Sequence, residues 1–180
     1  VNRAVFIDRD GTLVPDIPYL DDAEKLRLFP GAADSVARLR EAGFLVIVVT
    51  NQSGIGRGFF SEETLGRIHE KLAALLGEEG TSLDGLYYCP HRPDEGCSCR
   101  KPETGLIDRA VKDLNVSLEG SYVVGDDVAD IDLARNAGTK SVLVLTGHGI
   151  GSRSLVKPNV ITSDISEGVD WILKDSGSDA

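Results

Sequence analysis

Ala4-Val5-Phe6-Ile7-Asp8-Arg9-Asp10-Gly11-Thr12 is the stretch on which the reading of the fold turns. Its first four residues are apolar and β-prone, a short run that reads as a buried strand. Asp10-Gly11 then breaks the run as a turn. Asp8 and Asp10 therefore stand at the C-terminal end of a strand, where open α/β sheets bind their ligands. Two positions apart, one carboxylate can bind a cation and attack while the other moves protons.

Outward from that stretch, apolar β-prone segments recur at Phe44-Val49, Leu86-Tyr88, Tyr122-Val124 and Val142-Leu145. Helical patterns separate them, at Ala32-Ala42, from an N-cap at Ser61 to about Leu76, and at Leu106-Leu114, Ala129-Ala137 and Ile165-Leu173. Strand alternating with helix predicts an α/β, Rossmann-like, three-layer α/β/α sandwich around a central parallel sheet. Asn159-Val160-Ile161 adds a small edge strand, since Pro158 suits an edge better than a centre. Residues 1–175 read as one unit, with long connections over 11–30 and 89–102, and 176–180 as a flexible tail.

The composition is that of an ordinary globular chain: 180 residues, 41% hydrophobic and 27% charged. The longest apolar stretch, Phe44 to Val49, is far too short to span a bilayer. No charged start precedes an apolar secretion segment, so the expected address is cytoplasmic, with no membrane partner. The formal charge of −10 leans away from nucleic acid, whose binding wants the opposite balance. A phosphorylated small molecule is compatible, because a cation and a few basic groups can reverse the sign within one cleft. A monomer is the expected state.

Four short stretches fall at predicted strand ends: Asp8-Arg9-Asp10-Gly11-Thr12, Thr50-Asn51-Gln52-Ser53-Gly54, Arg100-Lys101-Pro102 and Gly125-Asp126-Asp127. Together they describe a phosphoryl-transfer site. Asp8 and Asp126 supply hard oxygens suited to Mg²⁺. Thr50 can donate to a phosphate oxygen, and Lys101 brings a point charge to the same group. The four stretches resemble motifs I to IV of the haloacid dehalogenase superfamily of phosphatases. That resemblance implies a sheet of order 5-4-1-2-3. It also makes Asp8 the nucleophile, Asp10 the acid and then the base, and Thr50 and Lys101 their catalytic partners. Mg²⁺ is implied on Asp8, the backbone carbonyl of Asp10 and Asp126, with Asp127 or Asp130 in support. The intervals after Thr12 and between Leu86 and Arg100 are too short for a large cap domain, so a capless member is expected.

All three cysteines lie within eleven residues, together with one of three histidines: Cys89, His91, Cys97 and Cys99. Four soft or borderline ligands suit a closed, structural Zn²⁺ site. A disulfide would leave one thiol over and is out of place in a reducing compartment. Cys99 runs directly into Arg100-Lys101, so such a clip would fix both cations.

The Thr50-to-Gly58 stretch, Asp-Arg-Asp-Gly-Thr and the cysteine loop ending in Cys-Arg-Lys-Pro resemble the D-glycero-D-manno-heptose 1,7-bisphosphate phosphatases. That resemblance implies removal of the 7-phosphate of a sugar bisphosphate. It implies a substrate surface of Asp16 to Tyr19, Thr50, Asn51, Gln52, Ser53, Arg100 and Lys101, with Arg100 toward the sugar or its second phosphate. Histidinol-phosphate phosphatases carry a similar cysteine loop, and polynucleotide 3′-phosphatases share the Thr50-to-Gly58 pattern; both stand as alternatives. A phospho-receiver domain uses similar groups in a different strand order. His69 reads as a surface or packing residue, His148 as part of a flexible glycine-rich rim with no helix behind it, and Trp171 as core. Arg9 faces the cleft or pairs with an acidic neighbour.

Overall fold

The computed structural model describes residues 1–177. Six strands form one parallel sheet: β1 (Asn2–Ile7), β2 (Phe44–Asn51), β3 (Gly85–Cys89), β4 (Val116–Gly125), β5 (Lys140–Val144) and β6 (Val160–Thr162). Their order is β3-β2-β1-β4-β5-β6, which contains the expected 5-4-1-2-3 order with β6 added beside β5. The chain winds outward from β1 to β3, then crosses back to place β4 on the other side of β1. The resulting switch point lies between β1 and β4, where the C-terminal strand ends open a crevice.

The helices are α1 (Ala32–Glu41), α2 (Glu62–Glu78), α3 (Gly105–Leu114), α4 (Val128–Ala137), α5 (Gly149–Ser152) and α6 (Ile165–Asp175). Alternation along the strands divides the core in two. Val5, Ile7, Val46, Val48, Tyr122 and Val124 face α1, α2 and α6. Ala4, Phe6, Ile47, Val49 and Val123 face α3 and α4. With both faces covered, the central strands read as continuous apolar runs rather than alternating ones. The three-layer expectation is met, and between Thr12 and α1 the only helical element is a 3-10 turn, Ala23–Lys25.

Several boundaries differ from the sequence reading. β4 begins six residues earlier than expected, at Val116, because its first part pairs with Asn2 and Arg3 before a register shift. Gly120, at φ +76°, lets the strand bulge there, and the Ser121 hydroxyl bonds both the Ser117 carbonyl and the Ala4 N–H. A polar, glycine-containing strand of this kind carries no periodic apolar signal. Trp171 is half-buried against Tyr122 rather than enclosed. Ser176 and Gly177 close α6 by donating to Ile172 and Lys174 carbonyls, and the rest of the expected tail, 178–180, lies outside the described residues. Among the described residues, no helix is long and apolar enough to cross a membrane.

Candidate active site

Asp8 follows the last residue of β1, Thr50 and Asn51 end β2, and Asp126 follows β4, so all converge at one sheet edge. Lys101 reaches the same point from the loop after β3. Its Nζ lies 2.9 Å from Asp8 Oδ1, 2.7 Å from Asp130 Oδ1 and 3.0 Å from the Val49 carbonyl. Burial alone would lower the Lys101 pKa, but the charges of Asp130 and Asp8 more than reverse this and hold the ammonium protonated. Burial also pushes the Asp8 carboxyl well above the ordinary carboxylate range; Lys101 opposes this, while Asp130, Asp126 and Asp10 add to it.

Asp8, Asp126 and Asp130 each offer an oxygen within 4.8 Å of the others. Asp126 is pushed up to about 6, chiefly by burial, although the His148 N–H holds it down in part. Three buried carboxylates facing one ammonium make an electrostatically unbalanced cluster. A hard divalent cation is the group whose oxygen preference and charge fit it. The sequence left Asp127 and Asp130 open. Asp127 is exposed at the start of α4, whereas buried Asp130 bonds Lys101 through one oxygen and the Asp127 N–H through the other.

Gly11 explains why the Asp-x-Asp turn can close on this cluster. Its φ is +85°, and an added Cβ would overlap the Asp126 carboxylate; Gly147, from the loop after β5, packs against the same carboxylate. Thr12 Oγ1 lies 3.3 Å and the His148 N–H nitrogen 2.8 Å from Asp126, and Thr146 Oγ1 donates to the Gly11 carbonyl at 2.6 Å. The Thr146–Gly151 rim is therefore tied down, and it runs into the short helix α5. That corrects the reading of this stretch as a flexible rim. His148 also pairs with Asp16, at 2.8 Å.

Asp10 lines the cleft beside Asp8. Arg9 Nε lies 3.0 Å from one of its oxygens and an Arg9 terminal nitrogen 3.0 Å from the other, while Gln52 Nε2 adds a bond at 2.9 Å. The same Gln52 nitrogen bonds Thr50 Oγ1 at 2.8 Å. Arg9, left ambiguous by the sequence, is thus fully buried and paired with its acidic neighbour. Asn51, assigned to the substrate surface, also clasps the loop of Lys101: it accepts from the Lys101 N–H at 3.0 Å and donates to the Lys101 carbonyl at 3.3 Å.

The cleft holds about 430 Å³ and is lined by Asp8, Asp10, Asp16, Tyr19, Asn51, Gln52, Ser53, Arg100 and Lys101, among others. The exposed Tyr19 ring packs edge-on against Phe59 at 4.8 Å and lies under the Arg57 guanidinium. Arg100 presents a buried terminal nitrogen with no hydrogen-bond partner. An uncompensated guanidinium nitrogen in a cleft is suited to an anionic oxygen.

Behind the Arg100 loop, Cys89, His91, Cys97 and Cys99 converge. Cys89 Sγ lies 3.6 Å from Cys97 Sγ, 3.1 Å from Cys99 Sγ and 3.4 Å from His91 Nδ1, and His91 Nδ1 lies 3.2 Å from Cys99 Sγ. No pair approaches the roughly 2.05 Å of a disulfide. A tetrahedron with Zn–S bonds of about 2.3 Å has edges of about 3.8 Å, so the four atoms stand slightly closer together than a zinc ion would hold them. Burial works against a charged Cys97 thiol, yet backbone N–H groups of Cys99 and Arg100 pull it down to about 7. The loop is anchored on both sides: the Gly56 N–H donates to the Pro90 carbonyl, and the Gly105 N–H at the start of α3 to the Ser98 carbonyl.

Residues 98–167 match the family model described as HAD-hydrolase-like. The D-glycero-β-D-manno-heptose-1,7-bisphosphate 7-phosphatase of Haemophilus ducreyi is 39% identical, over 94% of this chain and 98% of its own. That of Yersinia pestis is 40% identical, over 94% and 89%. The crystal structure of the D,D-heptose 1,7-bisphosphate phosphatase from B. bronchiseptica, complexed with magnesium and phosphate, superposes with a TM-score of 0.89. It is 32% identical and covers 96% of this chain and 99% of its own. With two relatives near 40% identity along almost their whole length, and the four carboxylate, threonine and lysine stretches gathered at one sheet edge, the chain belongs to the D-glycero-D-manno-heptose-1,7-bisphosphate 7-phosphatase family of HAD-like hydrolases.

Proposed function

We propose that this chain hydrolyses the 7-phosphate of D-glycero-D-manno-heptose 1,7-bisphosphate through a covalent phosphoryl group on Asp8. The observation that carries this reading is Lys101 Nζ within 3 Å of Asp8 Oδ1 and Asp130 Oδ1, with Asp126 in the same cluster. An Asp8 oxygen attacks phosphorus, the bond from phosphorus to the sugar oxygen breaks, and Asp10 gives its proton to the departing alkoxide. Asp10 then takes a proton from water, whose oxygen attacks the same phosphorus and frees Asp8 and inorganic phosphate. Thr50 and Lys101 hold the phosphoryl oxygens through both steps.

Asp8, the Asp10 carbonyl and Asp126 are the groups that would hold Mg²⁺, with Asp130 behind them. Magnesium, when bound, offsets the negative charge that buried carboxylates and phosphate bring together. The four cysteine and histidine ligands are read as a structural Zn²⁺ site in a single phosphatase unit of residues 1–175. The aromatic and polar rim of Asp16, Tyr19 and Ser53 would receive the sugar, and Arg100 its remote phosphate. Three unpaired thiols and a −10 charge favour a reducing, cytoplasmic setting, a monomer, and a small sugar phosphate over nucleic acid or membrane.

The test is kcat/KM measured side by side on the heptose bisphosphate, histidinol phosphate and a 3′-phosphorylated oligonucleotide. The expected preference for the first is about 100-fold or more, the range that an added charged contact supports. A chain that prefers histidinol phosphate overturns the substrate assignment and leaves the phosphoryl chemistry standing.

A further inference from the structure

We propose that His69 and Arg9 are positioning residues that aim the Asp10 carboxyl at the leaving oxygen, a role that rests on the phosphatase reading above. Asp10 sits at the partly open edge of the cleft, and a free aspartate there would sample several rotamers. Three groups remove that freedom. Arg9 Nε lies 3.0 Å from Asp10 Oδ1, and a terminal Arg9 nitrogen and Gln52 Nε2 lie 3.0 and 2.9 Å from Asp10 Oδ2.

The remaining terminal nitrogen of Arg9 points away from Asp10 and lies 3.2 Å from His69 Nε2. A guanidinium can only donate, so His69 must present a bare Nε2 and carry its proton on Nδ1. Burial, with the Arg9 charge as a second cause, lowers the His69 pKa to about 3, which keeps the ring in that accepting form. His69 is itself placed by α2, and its ring lies 5.9 Å from that of Tyr88, the neighbour of Cys89 on β3.

A fully buried arginine is costly unless its fork is used, and here every nitrogen has a partner. The arrangement uses a helix residue, far from the reacting atoms in sequence, to fix a side chain in the catalytic turn. Misorientation of a proton donor affects esters according to how much the leaving oxygen needs a proton. A sugar alkoxide needs one; p-nitrophenolate leaves without it.

The experiment compares kcat/KM for His69→Leu, His69→Gln and Arg9→Lys with that of the unaltered chain, on the heptose bisphosphate and on p-nitrophenyl phosphate. His69→Leu and Arg9→Lys are expected to lose about 10- to 100-fold on the sugar ester and under about threefold on the aryl ester, a fraction of the full acid–base contribution. His69→Gln, which keeps an acceptor at similar reach, is expected to restore most of the sugar-ester activity. Equal losses on both esters, no loss in His69→Leu, or a His69→Gln chain as slow as His69→Leu would each overturn the proposal. Arg9→Lys, which keeps the charge and loses the fork, carries the same comparison if His69→Leu does not fold. An unaltered chain that cleaves neither ester overturns the phosphatase reading instead.

Discussion

Asp126 shows how the site trades stability for a charge cluster. Its carboxyl is raised to about 6 from an ordinary value near 3.8, so the folded chain binds the proton more tightly than the unfolded one. The stabilisation from protonated Asp126 is complete below about pH 4 and lost as pH rises through 6. In magnesium-free buffer, Asp126→Asn should therefore stabilise the chain at pH 8 by on the order of 2 to 3 kcal/mol and change little at pH 4, in urea titrations at both values. Added Mg²⁺ should stabilise the unaltered chain and not the variant. Asp8→Asn should lower turnover by more than about 1,000-fold while the circular dichroism spectrum is retained, because the proposed nucleophile is gone and its amide fills the same space. Asp8, Asp10, Thr50 and Asp126 were legible in the sequence because they stand at or just beyond the C-terminal ends of apolar strands, and Lys101 because it completes the order of a phosphoryl-transfer pattern. Asp130 was not separable from Asp127, since the choice depends on helix phase. Asp127 caps α4 outward, and Asp130 turns back under it toward Lys101. His148 was missed because its contribution to Asp126 is a backbone N–H, which no side-chain pattern encodes.

Among the elements, the cysteine loop decides how Arg100 and Lys101 reach the cleft. Its four candidate ligands come from the end of β3 (Cys89), from just beyond it (His91) and from a turn eight to ten residues after Cys89 (Cys97 and Cys99), and its flanks are pinned to the Gly54–Arg57 turn and to α3. Metal analysis should find about one zinc per chain, and Cys97→Ser should cost about 10- to 100-fold in kcat/KM, the scale at which groups supporting a metal site act. A zinc-free preparation with full activity would refute the clip. The convergence of Cys89, His91, Cys97 and Cys99 was legible from ligand types and crowding, whereas the close backbone contact of Gly105 with Ser98 was not, because it needs two segments folded together. The lower half of β4 was illegible for a different reason. Its pairing with β1 is made by a bulged, polar stretch held by Ser121 rather than by apolar periodicity.

No cap covers the site among the described residues, and loops at the sheet edge line the cleft, which on the proposed reading leaves substrate recognition to them. Arg100→Ala should then raise KM for the heptose bisphosphate by about 10- to 100-fold, with kcat within about threefold, and leave p-nitrophenyl phosphate hydrolysis nearly unchanged, because a charge-assisted fork acts on the remote phosphate alone. Steady-state kinetics on the two esters checks this. The alternation of strand and helix, the parallel sheet and the two clusters of candidate metal ligands could be read from the sequence, since apolar runs, turns and ligand spacing are local properties. It took the tertiary structure to show that Asp130 joins the cluster, that the rim at Thr146 and His148 is hydrogen-bonded to Gly11 and Asp126, and that Arg9 joins Asp10 to His69. Those contacts link residues tens of positions apart, and only burial and chain crossing bring their atoms within hydrogen-bonding distance.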